Sequence, residues 1–276
     1  HVLRFGSPGI PKEQWVECYG MAVGKFKDKQ VWVTDALATT HGSDIGVEFV
    51  EENYVIMAQF LDQLDQINAE TSRPMLSADG DEIPLALLVN TLSVIKKHKF
   101  NPDETNIGVV GINVSAIRLT RLLISSGFLR ILGCDNNEKL MHLLEKAGGI
   151  ATNAENIFTN SDIIFLIKNH FTIDDFHKIR SGQVLMSMID TDELEKSIIR
   201  DRGIRDYITG LEQGATLLLP GLIDGIIKSG RKSLEDSTII TLAEKIHQLR
   251  LVHPEQYNLF GDIHQRISSL LCGDLA

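Results

Sequence analysis

Cysteine is scarce in this chain, and the three present, Cys18, Cys134 and Cys272, stand far apart with no CxxC or Cys/His ligand spacing between them. A disulfide framework and a structural zinc site are therefore not expected, and thiols kept reduced in a cytoplasmic setting fit the pattern. Hydrophobic residues make up 43% of the chain. Even so, no uninterrupted apolar run approaches the roughly 20 residues that a membrane helix needs, so no span is expected to cross a bilayer. The opening HVLRFGSPGI lacks the apolar centre of a signal peptide, and export is not expected. Basic charge is in deficit, with a formal net charge of −10. No basic stripe with interleaved aromatics occurs, so nucleic acid is not an expected partner. Repeats and low-complexity tracts are absent. So are a G-x-S-x-G elbow and a P-loop, which argues against Ser-His-Asp hydrolysis and P-loop phosphate chemistry.

What is present centres on Asn106 to Asp135, NIGVVGINVSAIRLTRLLISSGFLRILGCD. Ile107 to Val110 is a short β-branched run suited to a buried parallel strand, and Gly111 follows where the chain must turn tightly. Ile117, Leu119, Leu122, Leu123 and Ile124 then recur at helical spacing, and Gly127 stands where that helix should stop. A second strand, Leu129 to Gly133, leads to Asp135. This order of strand, turn, helix, strand and acid predicts a dinucleotide-binding unit. The turn and the first helical residues, Gly111, Asn113, Val114, Ser115 and Ala116, would hold the pyrophosphate, and Asp135 with Asn136 the adenosine ribose. Where G-x-G-x-x-G is usual, the chain has Gly111, Asn113 and Ala116. Ala116 is an accepted third position, whereas Asn113 puts a side chain where close backbone approach is the rule. The carboxylate of Asp135 favours NAD over NADP, although NADP stays open because Asn136 and Asn137 follow.

The remaining pattern predicts an α/β fold, a doubly wound parallel sheet of Rossmann type preceded by a smaller α/β domain. The domains would be residues 1–100, 104–250 and a C-terminal helical segment, 251–276, returning toward the first. Residues 1–28 read as irregular chain before a short helix, Gln30 to Thr34 as a strand, Val47 to Asn68 as a helix with an acidic outer face, and Met75 to Ser77 as a strand. Pro84 opens a helix that carries Leu85, Leu88, Leu92 and Ile95 on one face. Past Asp135, helices at Glu138 to Ala147 and near Asp174 to Ile179 alternate with strands at Asp162 to Ile167 and Gln183 to Met188. A strand at Asp206 to Thr209 and helices at Ser233 to Leu249 and around Ile263 to Leu271 complete the pattern. The apolar terminal helices permit a homodimer.

Several residues admit two readings. Asp79, Asp81 and Glu82 form the densest carboxylate group. They either cap the helix at Pro84, or Asp79 and its neighbours offer oxygen ligands to a divalent cation such as Mg or Mn. His41, in a glycine-containing loop, is either exposed or a proton donor; Asp35, at a strand end, is either a turn former or a site carboxylate. Lys168 and Asn169 follow the strand ending at Ile167, on the side where open α/β sheets bind ligands, and are expected against ribose or nicotinamide.

Three stretches resemble the malic enzymes and the related amino-acid-dehydrogenase-like two-domain proteins. Thr34 to Gly46, TDALATTHGSDIG, is similar to a family stretch running from TDG to GDIG. Ser77 to Leu88, SADGDEIPLALL, resembles the acidic metal-binding turn of the type HDDQHGTA. Leu217 to Ile246, beginning LLLPG, resembles the FPG segment and its following helix. The resemblance implies an NAD(P)-dependent oxidoreductase acting on a small acidic metabolite, with Asp35, His41 and Asp81 as candidate catalytic groups and Asp79 as a candidate metal ligand. The chemistry departs from the family. The tyrosine acid of its YTPG motif is answered by Ser7 to Gly9 after Gly6, and no lysine lies between Lys29 and Lys96 to act as the base. Malate is therefore not the expected substrate. The alternative is a degenerate nucleotide-binding member with a regulatory or structural role.

Overall fold

The computed structural model describes residues 81–189, 193–209, 234–252 and 263–273, isolated positions between 211 and 231, and the backbone of four strands nearer the N-terminus. Those strands, β1 (Val2–Phe5), β2 (Val31–Asp35), β3 (Tyr54–Ala58) and β4 (Met75–Ser77), form a parallel sheet in the order β1-β2-β3-β4. Two expectations are corrected here. The chain does not begin as irregular structure throughout, because Val2–Phe5 pairs along β2. Nor is Val47 to Asn68 helical throughout, since Tyr54–Ala58 is a strand hydrogen-bonded on both sides. Tyr-Val-Ile-Met-Ala is a short apolar run of the kind that periodicity cannot assign, and pairing within a sheet decides it.

The second sheet has six parallel strands: β5 (Asn106–Val110), β6 (Arg130–Cys134), β7 (Ile150–Ala151), β8 (Ile163–Leu166), β9 (Val184–Ser187) and β10 (Asp206–Ile208). Their spatial order is β10-β9-β8-β5-β6-β7. Renumbered within this sheet the order is 3-2-1-4-5-6, the arrangement of a doubly wound dinucleotide fold, with the chain reversing direction of travel between β5 and β8. All four residues of β8 and of β9 are buried, as both-faced cover by helices requires.

One face is covered by helices α1 (Glu82–His98), α2 (Val114–Ser125) and α7 (Asp236–Val252), which join the core around Ile107, Val109, Ile163, Phe165 and Val184. The other is covered by α4 (Ala154–Asn160), α5 (Ile173–Phe176) and α6 (Glu193–Asp201), around Phe158, Phe176 and Ile199. α3 (Glu138–Lys146) follows β6, and α8 (Ile263–Cys272) sends Ile267 and Leu271 into the first of these cores. At the far end of α1, Lys97 and His98 both reach Asp206 on the edge strand β10. Burial raises the carboxyl pKa of Asp206, but hydrogen bonds from Lys97 and His98 outweigh that and hold it below the usual range. Among the described residues no helix is long and apolar enough to cross a membrane.

Candidate functional site

The switch point brings two loop starts together, the turn after β5 and the segment after β8. Gly111 takes φ +80°, a conformation L side chains rarely adopt, and its N–H donates to the Cys134 carbonyl at 2.9 Å. A Cβ at Gly111 would lie 2.4 Å from Lys168 Cβ and 2.6 Å from the Lys168 amide nitrogen. The turn is glycine because the backbone of Lys168 lies against it. Lys168 then folds over the turn, its Nζ donating to the Ile112 carbonyl at 2.9 Å.

Asn113, the departure from the glycine fingerprint, is the N-cap of α2, with Oδ1 accepting from Ala116 N–H at 2.8 Å. A cap of this kind contributes about 1 kcal/mol to the helix. Val114, Ser115 and Ala116, its first turn, are buried. Across from them Asp135 turns inward. Its Oδ2 accepts from Ile112 N–H at 2.7 Å, its Oδ1 accepts from Asn137 N–H at 2.8 Å, and its side chain is 2% exposed. His170 Nε2 lies 3.5 Å from Oδ2. Asn137 in turn caps α3, accepting from Lys139 N–H at 3.0 Å. Asn136 is exposed.

An open groove of about 730 Å³ runs along residues 135–140 with Lys168 and His170. Asn169, though adjacent, is exposed and does not line it. His170 was not legible as a candidate; the only signal was its place two residues after Lys168 behind the carboxyl end of a strand. Its Nδ1 is buried without a hydrogen-bond partner. Cys134 beside the turn is not a nucleophile, because burial pushes its thiol up to about 11.

The other candidates fall elsewhere. Asp81 is not a groove residue. It occupies the N-cap position of α1 but makes no side-chain cap hydrogen bond. The helix begins two residues before Pro84, so Pro84 is the third helical residue and has no N–H there for a cap to reach. The carboxylate instead meets Arg118 of α2, with Nη1 2.6 Å from Oδ1. The contact is ionic without hydrogen-bond alignment. Both side chains are at least nine-tenths buried. Burial pushes the carboxyl of Asp81 up to about 6, against the lowering pull of Arg118. Arg118 also donates to the Leu234 carbonyl, and Arg121 grips Asp236 at the start of α7 through two nitrogens. Arg118 was missed in the sequence, although a lone arginine between Ile117 and Leu119 was a signal. Asp35 ends β2, and His41 and Asp79 lie outside the described residues. Among the described residues no group of three or more metal-ligating side chains occurs.

The arrangement is chemically suited to a dinucleotide. The positive end of a twelve-residue helix and the Lys168 ammonium stand at the turn, and a polar groove leads away past the end of β6.

No family model matches the chain, and no curated protein sequence does. Its fold is similar to those of solved malic enzymes. The NAD-dependent malic enzyme of Thermotoga maritima is 13% identical, with a TM-score of 0.67 over 99% of this chain and 83% of that one. The malic enzyme of Pyrococcus horikoshii is 13% identical, with a TM-score of 0.66 over 99% of this chain and 76% of that one. The malic enzyme of Entamoeba histolytica is 11% identical, with a TM-score of 0.64 over 80% of this chain, which spans only 54% of that longer protein. At these identities the likeness is one of fold.

Proposed function

We propose that the chain binds a nicotinamide dinucleotide, NAD or NADP, at the Gly111 turn and acts as an oxidoreductase on a small acidic metabolite other than malate. The observation that carries this reading is the meeting of Gly111, the α2 N-terminus and Lys168 at the switch point of a 3-2-1-4-5-6 sheet. Gly111 to Ala116 and Lys168 would hold the pyrophosphate, and the groove lined by Asp135 to Lys139 would receive the adenosine end. The nicotinamide, when bound, supplies the carbon that exchanges hydride; the protein's part is to orient it and keep water away. The fold likeness to malic enzymes supports this class of reaction. In the same reading the strands before residue 78 belong to a substrate-binding unit, where Asp35 and His41 remain candidates for proton transfer and Asp79, just after them, for a Mg or Mn ligand. Asp81, at the start of α1, would join the proton transfer only by leaving its contact with Arg118.

Malate is set aside because oxidative decarboxylation needs a base for the hydroxyl proton and an acid for the enol. Each such group contributes a factor of about 10² to 10⁴, and the family's lysine and tyrosine are both missing. A second reading, nucleotide binding without turnover, draws on the tether from Lys168 to Ile112 across the turn. A panel of hydroxy acids and amino acids with NAD or NADP and Mg²⁺ or Mn²⁺, followed by absorbance of the reduced nicotinamide, tests all three statements. Turnover of an acidic substrate other than malate is the expected result. Malate turnover near about 10 s⁻¹, an ordinary enzyme rate, overturns the exclusion of malate. No turnover with any substrate, alongside saturable binding, selects the second reading.

A further inference from the structure

The acid at the end of the second strand usually selects NAD, because it accepts the ribose hydroxyls and repels a 2′-phosphate. In this chain it is not placed to do so. Asp135 has one oxygen on Ile112 N–H and the other on Asn137 N–H, with only 2% of its side chain exposed. Each oxygen keeps a second lone pair, but a carboxylate with so little of its surface open, and with both oxygens already in charge-assisted contacts of a strong class, offers a ribose hydroxyl little to reach. The carboxylate is a brace between the phosphate turn and the α3 N-cap. The His170 ring lies beside it, Nε2 3.5 Å from Oδ2.

The groove rim beside this brace carries Lys139, Lys168 and His170 against a single exposed acid, Glu138. Asn137 Oδ1 already takes the Lys139 amide, so an anion there would be met by side chains rather than by the helix amides. Lys168 is drawn to the turn by its bond to the Ile112 carbonyl, at the pyrophosphate end, which leaves Lys139 and His170 facing the adenosine end.

We infer that the groove accepts a 2′-phosphorylated dinucleotide, with Lys139 and His170 as specificity-determining residues and Asp135 as a structural brace. The inference rests on the dinucleotide reading above and reverses the NAD preference expected from the acid alone. Calorimetric titration of the full chain with NADPH and with NADH, each in place of an unknown ternary complex, tests it by affinity rather than turnover. NADPH is expected to bind at least as tightly as NADH. Asp135→Asn should leave the ratio of the two affinities within about threefold, whereas an acid that reads the ribose would shift it toward NADPH by about tenfold or more on removal. Lys139→Gln, an exposed position that folding does not need, should weaken NADPH about threefold or more and leave NADH unchanged. Tighter binding of NADH, or a tenfold shift of the ratio in Asp135→Asn, overturns the inference while sparing the dinucleotide reading. Failure of both nucleotides to bind overturns the two together.

Discussion

Replacing Gly111 with alanine separates two costs that the structure assigns to one atom. The backbone stands at φ +80°, and an L residue in the left-handed region costs about 1–2 kcal/mol. The added methyl also meets the Lys168 backbone, 2.6 Å from its nitrogen and 2.9 Å from its Cα. Backbone cannot rotate aside as a side-chain tip can, so overpacking adds about 1–3 kcal/mol. Gly127 provides the control, because it has φ +94° with nothing within 4 Å of the same added atom. Gly127→Ala should therefore cost about 1–2 kcal/mol and Gly111→Ala about 2–5 kcal/mol. Urea denaturation of the two variants and the parent, analysed with a common slope, reads the difference directly. Equal losses in the two variants would refute the contact between the turn and Lys168, and with it the geometry proposed for the pyrophosphate.

Three further outcomes follow from the charged groups. Arg118→Met leaves Asp81 buried without its cation and should cost about 3–5 kcal/mol at pH 8 by chemical denaturation; a loss under 1 kcal/mol would show the pair to be unimportant. Asp81 has its folded pKa raised, chiefly by burial, from 3.8 to about 6. Its charge therefore penalises the fold above that pH, and the penalty is relieved as pH falls through 6 toward 4. Relative to Asp81→Asn the parent should gain on the order of 3 kcal/mol between pH 7 and pH 4, and a flat difference contradicts the burial argument. Asp206 has the opposite sign: its depressed pKa gives stability that is present above the ordinary carboxyl pKa and lost as pH falls through the folded value. Asp206→Asn should cost about 1 kcal/mol at pH 7, the group being partly exposed, with the loss vanishing at acid pH.

Much of the larger sheet was legible in the sequence because its elements are short, strongly apolar and punctuated by glycine. The strand before Gly111, the helix stopping at Gly127 and the strand before Asp135 were each placed to within a few residues of their observed bounds. The strand at Tyr54–Ala58 was not, since five apolar residues beside an acidic segment match a helical stripe as well as a paired strand. Side-chain roles were harder to read than elements. Asn113 looks like a defect in a glycine fingerprint, and only the hydrogen bond to Ala116 N–H reveals a helix cap. Asp81 looks like a cap, but a proline two residues into the helix withholds the needed N–H, and an arginine 37 positions away in sequence claims the carboxylate. Such partners meet through packing of α1 on α2, which no local pattern encodes.

Hydrogen–deuterium exchange of the full chain with and without saturating NADPH or NADH tests the central claim most directly. Protection should appear in residues 111–116, 135–140 and 168–170, the turn and the groove that follow β5, β6 and β8, while peptides from α7 and α8 stay unchanged. Absence of protection with both nucleotides, or protection confined to segments away from the Gly111 turn, would contradict it.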